Sequence, residues 1–213
     1  MGIRVSPDRP ALLPGGLVFL LLLLLLLLAH PAQPVRRPPP VVLGDNNRIP
    51  VIESLKIREQ QRTAVSTSWM LPYNYTWSSE KVLVYTPTVN YTLRDYHKFF
   101  QDIGFEDGWL MRQDTEGLVD AMMPPGVRLH CLYGTGVPTP DSFYYDSFPD
   151  RDPKIYFGDG DGTVNLQSAL QCRAWHNRQE QQVSLQELPG SEHLEMLANA
   201  TTLAYLKRLL LGL

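Results

Sequence analysis

The chain has 213 residues, room for one domain of ordinary size, and a composition of 44% apolar and 19% charged residues is globular rather than disordered. Its formal net charge is −3 and no run of Lys or Arg stands out in the body of the chain. That argues against nucleic acid as a partner and leaves partners to be read from local motifs.

Residues 1–32 have the make-up of a signal peptide: Arg4 and Arg9 form a sparse basic region, Leu17 to Leu28 is an almost unbroken apolar block, and Ala29 to Ala32 offers small residues for cleavage. An uncleaved signal anchor is the alternative, although an apolar block of about a dozen residues falls short of the ~20 that span a bilayer. Entry into the secretory route changes the meaning of other residues. Asn74-Tyr75-Thr76, Asn90-Tyr91-Thr92 and Asn199-Ala200-Thr201 fit the N-glycosylation acceptor pattern. The only two cysteines, Cys131 and Cys172, are an even pair in an oxidising compartment, which predicts a disulfide stabilising the fold by ~3–4 kcal/mol. Two separate buried thiols are the alternative, and neither Cys has the spacing of a metal site.

Taken in order, the chain continues with a Pro/Arg linker over Pro34 to Pro40, extended and exposed. Val41 to Leu43 begins like a buried strand and is cut short by the turn residues Gly44 to Arg48. From Arg48 to Trp77 the irregular pattern predicts surface loops and short helical turns. Lys81 to Thr86 reads as a short strand. Thr92 then caps a helix whose Leu93, Tyr96, Phe99, Phe100 and Ile103 share a face before Gly104 ends it. That stripe is either core or a membrane-binding face. A second helix is expected over Asp114 to Met123, stopped by Pro124-Pro125-Gly126, and a strand over Val127 to Tyr133, followed by a turn from Gly134 to Pro140. Phe143 to Tyr145 and Lys154 to Phe157 read as a hairpin or two edge strands, Leu166 to Trp175 as a helix, and Val183 to Leu188 as a strand. Leu194 to Leu211 closes the chain as a helix with Leu197, Leu203, Tyr205, Leu206, Leu209 and Leu210 on a broad apolar side and Gly212 as its stop. Strands alternating with helices predict an α/β architecture.

The candidate chemistry lies in two glycine-lined turns, Gly158-Asp159-Gly160-Asp161-Gly162-Thr163 and Gly190-Ser191-Glu192-His193. A histidine acts as general base when a carboxylate fixes its tautomer and stabilises the imidazolium. In α/β-hydrolases the chain order is Ser, Asp, His, with acid and base in loops after late strands, and Asp161 and His193 fit that order. Asp161 is preferred over Asp159, a turn former or supporting acid, because it directly precedes the Gly-Thr-Val leading into a helix. A turn-rich loop and a surface histidine are the plain alternative. A calcium loop fits poorly, since the glycine after Asp161 comes too early and no acid follows at the twelfth position. His97, His130, His176 and His193 lack the paired spacing of zinc ligands. No metal and no cofactor is expected.

The nucleophile of such a relay should sit in Gly-x-Ser-x-Gly, whose small flanking residues permit the strained elbow that exposes Oγ. The sequence has no such motif. Ser191 lies two residues from His193, too close in the chain to be its partner across a site, and Ser66, Ser68 and Ser142 lack the glycine bracket. An oxyanion loop is missing as well, because Val41-Val42-Leu43 runs straight into Gly44-Asp45-Asn46.

Four segments, Asp45-Asn46-Asn47-Arg48-Ile49-Pro50, Ala64-Val65-Ser66-Thr67-Ser68-Trp69, Tyr156 to Val164 and Ser191-Glu192-His193, closely resemble the lysosomal phospholipase A2 (group XV) branch of the lecithin–cholesterol acyltransferase family. The resemblance runs from Gly44 to Leu213, and the leader with Pro38 to Leu43 resembles that branch's amino terminus. It implies a partial α/β-hydrolase fold: the oxyanion loop, a membrane-binding segment, several central strands and the serine elbow would stand between Leu43 and Gly44, so a truncated or alternatively spliced product is expected. The implied organisation is 1–32 signal peptide, 33–43 linker and first strand, and 44–213 the C-terminal part of the acyltransferase domain with a cap-like segment. It further implies Asp161 and His193 as triad acid and base with the serine absent, Cys131 and Cys172 as the C-terminal disulfide, and glycans on Asn74, Asn90 and Asn199. The family's reaction is glycerophospholipid deacylation and acyl transfer to alcohols such as ceramide, at a phospholipid membrane surface in the lysosome lumen or outside the cell. Without its serine this chain is expected to be inert. The alternatives are a non-catalytic secretory-pathway glycoprotein that binds lipid or a partner, and an enzyme with a different nucleophile.

Overall fold

The computed structural model describes Leu43, residues 54–118 and residues 123–211. The leader, the Pro/Arg linker, the rest of the first strand, the turn after it, the Asp45–Pro50 motif and the Gly212 stop lie outside the described residues. The chain clusters into two units, Met1–Pro34 and Val35–Leu213, and all that follows concerns the second.

Where surface loops and short helical turns were expected, a two-turn helix α1 (Ser54–Arg62) and a short helix α2 (Val65–Trp69) appear. Helix α1 is rich in Lys, Arg, Glu and Gln, all good helix formers, but has no apolar stripe to announce it. Polar anchoring replaces the stripe: Arg58 donates to the Leu43 carbonyl at 3.2 Å, to Asp150 Oδ1 at 2.7 Å and to the Pro149 carbonyl at 2.9 Å. Leu43 itself is buried in the main core.

The strand expected over Lys81–Thr86 shrinks to β1 (Val84–Tyr85), which a tight turn joins to β2 (Asn90–Tyr91). Thr92 caps the next helix as expected. Its hydroxyl accepts from Arg94 N at 3.2 Å while Asp95 Oδ2 accepts from Thr92 N at 2.9 Å. A 3-10 turn (Leu93–Asp95) leads into α3 (Tyr96–Asp102), and Gly104 ends the unit with φ +61°. Phe99 and Phe100 are fully buried and Tyr96 and Ile103 nearly so, which settles the aromatic stripe as core. Of the helix expected over Asp114–Met123, residues 119–122 lie outside the described residues; α4 spans Glu106–Glu116, starting at once after Gly104 and Phe105 with Glu106 and Asp107 in its first turn, where acids suit the helix N-terminus.

The remaining elements are β3 (Leu129–Thr135), β4 (Thr139–Tyr144), β5 (Lys154–Gly158), α5 (Leu166–Ala169) continued by a 3-10 segment (Leu170–Trp175), β6 (Val183–Pro189) and α6 (Ala200–Leu211). They form a mixed α/β arrangement with two sheets. The four-stranded sheet has the order β2-β1-β4-β5, with β1 parallel to β4 and β4 paired antiparallel to β5 as the expected hairpin. Val84, Tyr91 and Phe143 carry one face of it into the aromatic core of α3. The second sheet is the parallel pair β3-β6, Leu129 opposite Val183 and Thr135 opposite Pro189. The disulfide Cys131–Cys172 closes a span of 41 residues and ties β3 to the 3-10 segment.

The expected closing helix is broken. A short 3-10 turn (Glu195–Leu197) is followed at Asn199 by a fresh start, because Asn199 Oδ1 accepts from Thr201 N at 2.8 Å and caps α6. The broad apolar side is open to solvent: Leu203, Leu209, Leu210 and Leu211 are all exposed.

Candidate active site

The turn after β5 and the turn after β6 meet beside the end of β3. Gly160 bridges to Asn165 and Val137 to Asp161, so the acid turn is stitched to the segment entering β4. Thr139, fully buried, receives Gly162 N on its hydroxyl at 2.8 Å and donates to the Val137 carbonyl at 2.9 Å. On the other side Gly190 N donates to the Thr135 carbonyl at 2.7 Å, fixing the base turn to the end of β3. The two turns can close on each other only because Gly134 has no side chain. A Cβ there would lie 2.2 Å from the Ser191 carbonyl oxygen and 2.8 Å from Asp161 Cβ. A glycine inside a strand marks such a close approach, and that signal was available in the sequence.

Asp161 is buried, with 4% of its surface exposed. Its Oδ2 lies 2.9 Å from His193 Nδ1, and its Oδ1 accepts from Thr163 N at 3.0 Å and Val164 N at 2.7 Å. The backbone adds a clamp, His193 N donating to the Asp161 carbonyl at 2.9 Å. Burial pushes the carboxyl up, but hydrogen bonds from His193, Val164 and Thr163 outweigh it, and the group sits below the ordinary carboxylate range. An ionised carboxylate has only acceptors, so Nδ1 must carry the proton, leaving Nε2 as the basic atom of the ring. The His193 side chain is about a third exposed (36%), so that atom belongs to an open site rather than a sealed core.

The structure therefore brings the two expected residues together. Asp159 supports the turn, as a former of loop structure: its Oδ1 accepts from Gly136 N at 2.7 Å and its carbonyl from Leu166 N at 2.9 Å. Ser191 is buried with its hydroxyl accepting from Asn199 Nδ2 at 3.3 Å. Among the described residues no serine or threonine hydroxyl is hydrogen-bonded to His193. Of the three sequon asparagines, Asn74 and Asn90 are exposed and Asn199 is half-buried at the start of α6. Gly134 and Thr139 are the residues that sequence reasoning missed; nothing in the pattern around Thr139 distinguishes it from a surface turn residue.

An imidazole held by a buried, ionised carboxylate between two strand-end turns is an arrangement that can take up and return a proton, and it stands here on a mixed α/β scaffold. The chain belongs to the lecithin:cholesterol acyltransferase family, whose model matches residues 35–200. It is 87% identical over 169 residues to a lysosomal phospholipase A and acyltransferase of Homo sapiens, covering 79% of this chain and 41% of that protein. The counterpart in Canis lupus familiaris is 86% identical over the same share of each chain. A phosphatidylcholine-sterol acyltransferase of Homo sapiens is 42% identical over 171 residues, 79% of this chain and 39% of that one. The chain thus spans about two-fifths of the length of the curated relatives it matches.

Proposed function

We propose that this chain carries the acid, Asp161, and the base, His193, of a Ser–Asp–His acyl-transfer site, that its scaffold is part of an α/β-hydrolase fold, and that the chain alone does not turn over. The observation that carries the reading is the Asp161–His193 bond at 2.9 Å, made by a carboxylate that two backbone amides hold ionised. In a complete site, His193 Nε2 takes the proton of the attacking hydroxyl and later returns it to the leaving alcohol, while Asp161 steadies the imidazolium. The serine that would form the acyl-enzyme has no glycine-bracketed counterpart in the sequence, so the dyad has a base without a nucleophile.

The relatives' names, a lysosomal phospholipase A and acyltransferase and a phosphatidylcholine-sterol acyltransferase, support phospholipid deacylation and acyl transfer as the reaction class of the complete site. A product lacking the segment between Leu43 and Gly44 accounts for a chain that keeps a leader, the acid and the base but no elbow. Asn74, Asn90 and Asn199 are its glycan acceptors. The test is hydrolysis of phospholipid vesicles at mildly acidic pH by purified, monomeric protein, with Asp161→Asn alongside. No release of fatty acid above buffer is expected from either. Turnover by the parent that disappears in Asp161→Asn would overturn the inert reading.

A further inference from the structure

The outer face of the four-stranded sheet holds a site that the acyl-transfer reading does not use. It holds a cavity of ≈ 320 Å³ lined by Tyr85, Thr86, Asn90, Ser142, Tyr144 and Tyr156. The strand register explains this set. Asn90 stands opposite Tyr85 and Tyr85 opposite Tyr144, a row that continues to Lys154 on β5, while Ser142 and Tyr156 stand opposite each other in the next row of the same face. Their neighbours Val84, Tyr91 and Phe143 point to the aromatic core, which leaves the tyrosines on the opposite face by the alternation of a strand. Tyr85 and Tyr156 meet edge to face at 6.0 Å, so the rings form a shaped wall.

We infer that this cavity cradles the first sugar of a glycan attached to its own rim residue, Asn90. The inference rests on Asn90 being a glycan acceptor, as proposed above. Asn90 is the residue of the Asn90-Tyr91-Thr92 acceptor pattern whose side chain lines the cavity. It is held rigidly, one residue beyond a turn closed twice, by Thr86 N to the Val89 carbonyl at 3.0 Å and by Val89 N to Thr86 Oγ1 at 2.9 Å. A sugar linked to the Asn90 amide starts at the edge of the hollow, so no translational freedom is lost in seating it and even a weak fit is populated. The chemistry also matches. An N-acetylhexosamine offers an apolar C–H face for tyrosine rings and hydroxyls for the phenol groups and the Ser142 and Thr86 hydroxyls, which is the mixture of apolar wall and few polar groups that small-ligand sites use. The cavity lies at the small end of the ~300–1,000 Å³ usual for such sites, suited to one or two rings rather than a lipid chain. The seated sugar would cover Tyr156, 42% exposed on the edge strand β5.

The experiment uses the secreted glycoprotein with Asn74→Gln and Asn199→Gln, so that Asn90 bears the only glycan. Glycopeptide mass spectrometry first measures occupancy of Asn90. Nitration of Tyr156 and thermal unfolding are then compared for the intact form, a form trimmed enzymatically to a single N-acetylglucosamine, and Asn90→Gln. The trimmed form is expected to behave like the intact one, with Tyr156 nitrated several-fold more slowly and Tm higher by ~2–4 °C than in Asn90→Gln, a shift that corresponds to about 1 kcal/mol at this chain length. Tyr156→Ser, at an exposed edge position, should abolish the difference in Tm while leaving occupancy unchanged. An unoccupied Asn90 would sink the acceptor reading and the cradle with it. An occupied Asn90 with equal nitration and equal Tm in the trimmed and glycan-free forms would overturn the cradle alone.

Discussion

Residues Leu71 to Phe105 with Phe143 and Tyr145, and strand β3 with residues 154–211, answer the same folding problem differently. In the first stretch Leu71, Leu83, Val84, Phe99 and Phe100 are essentially without exposed surface, and ring contacts such as Tyr91–Phe99 at 5.5 Å and Phe100–Phe105 at 5.8 Å knit helix α3 to the sheet. In the second the buried hydrophobic cluster is only Trp175 and Val183 with a few half-buried neighbours, while Ile155, Phe157, Leu203 and Leu209 face solvent. Parallel strands are ordinarily covered on both faces, yet β3 and β6 form an isolated parallel pair with mostly half-buried residues. The first stretch is held by side-chain packing and the second by turn hydrogen bonds, a disulfide and a dyad. A site can therefore keep its local geometry in a region that has little core of its own.

The largest expected effect tests the packed side of that contrast. Phe99→Ala removes a ring with no exposed surface from the centre of the aromatic cluster and should cost ~3–5 kcal/mol, read as a fall in the chemical-denaturation midpoint. A cost near zero would mean that the cluster is no core. Next comes the staple of the second region. Replacing Cys131 and Cys172 by Ser releases a span of 41 residues and should lose ~3–4 kcal/mol. If that loss is confined to amides of β3 and β6 in hydrogen exchange, while α3 keeps its protection, the two regions are separate cooperative units. Uniform loss would show one.

How far the sequence could be read follows the same line. Features written in local chemistry were legible: the Thr92 cap, the glycine stop at Gly104, the β4–β5 hairpin, the Cys131–Cys172 bond and the Asp161–His193 pair, each signalled by a residue type at its own turn. Features set by distant contacts were not. Helix α1 is fixed by Arg58 reaching to Leu43, Pro149 and Asp150, far away in the chain, and no apolar period marks it. The start of α4 is carried by Glu106 and Asp107, whereas Pro124 and Pro125 mark only where a helix can no longer run. The leucines from Leu203 onward form an apolar side whose exposure no pattern could foretell, because periodicity reports which side is apolar and says nothing of what lies opposite.

A smaller effect separates the dyad from the scaffold. The Asp161 carboxyl titrates below the ordinary carboxylate range in the folded chain, so it contributes stability above about pH 4, its unfolded value, and that contribution is lost as pH falls through the folded value. The unfolded state binds the proton first, which is why acid favours unfolding. Asp161→Asn should therefore flatten the acid limb of the stability curve below about pH 4 while lowering stability at neutral pH. An acid limb of unchanged slope would mean that other carboxylates carry it.

The smallest expected effect is the most informative about the open side. Leu209 is 39% exposed on α6, a helix whose contact with β3 includes the Tyr205 hydroxyl against His130 Nδ1 at 2.7 Å. Leu209→Gln keeps the side-chain length and helix propensity and leaves that contact alone, so stability of the isolated chain should change by no more than about 0.5 kcal/mol. A leucine that packs against anything would cost several times as much. A loss of that size, found together with a concentration-dependent Tm, would mean that the leucine face is covered in solution by a second copy, and the contrast between a packed and an open region would then belong to the monomer alone.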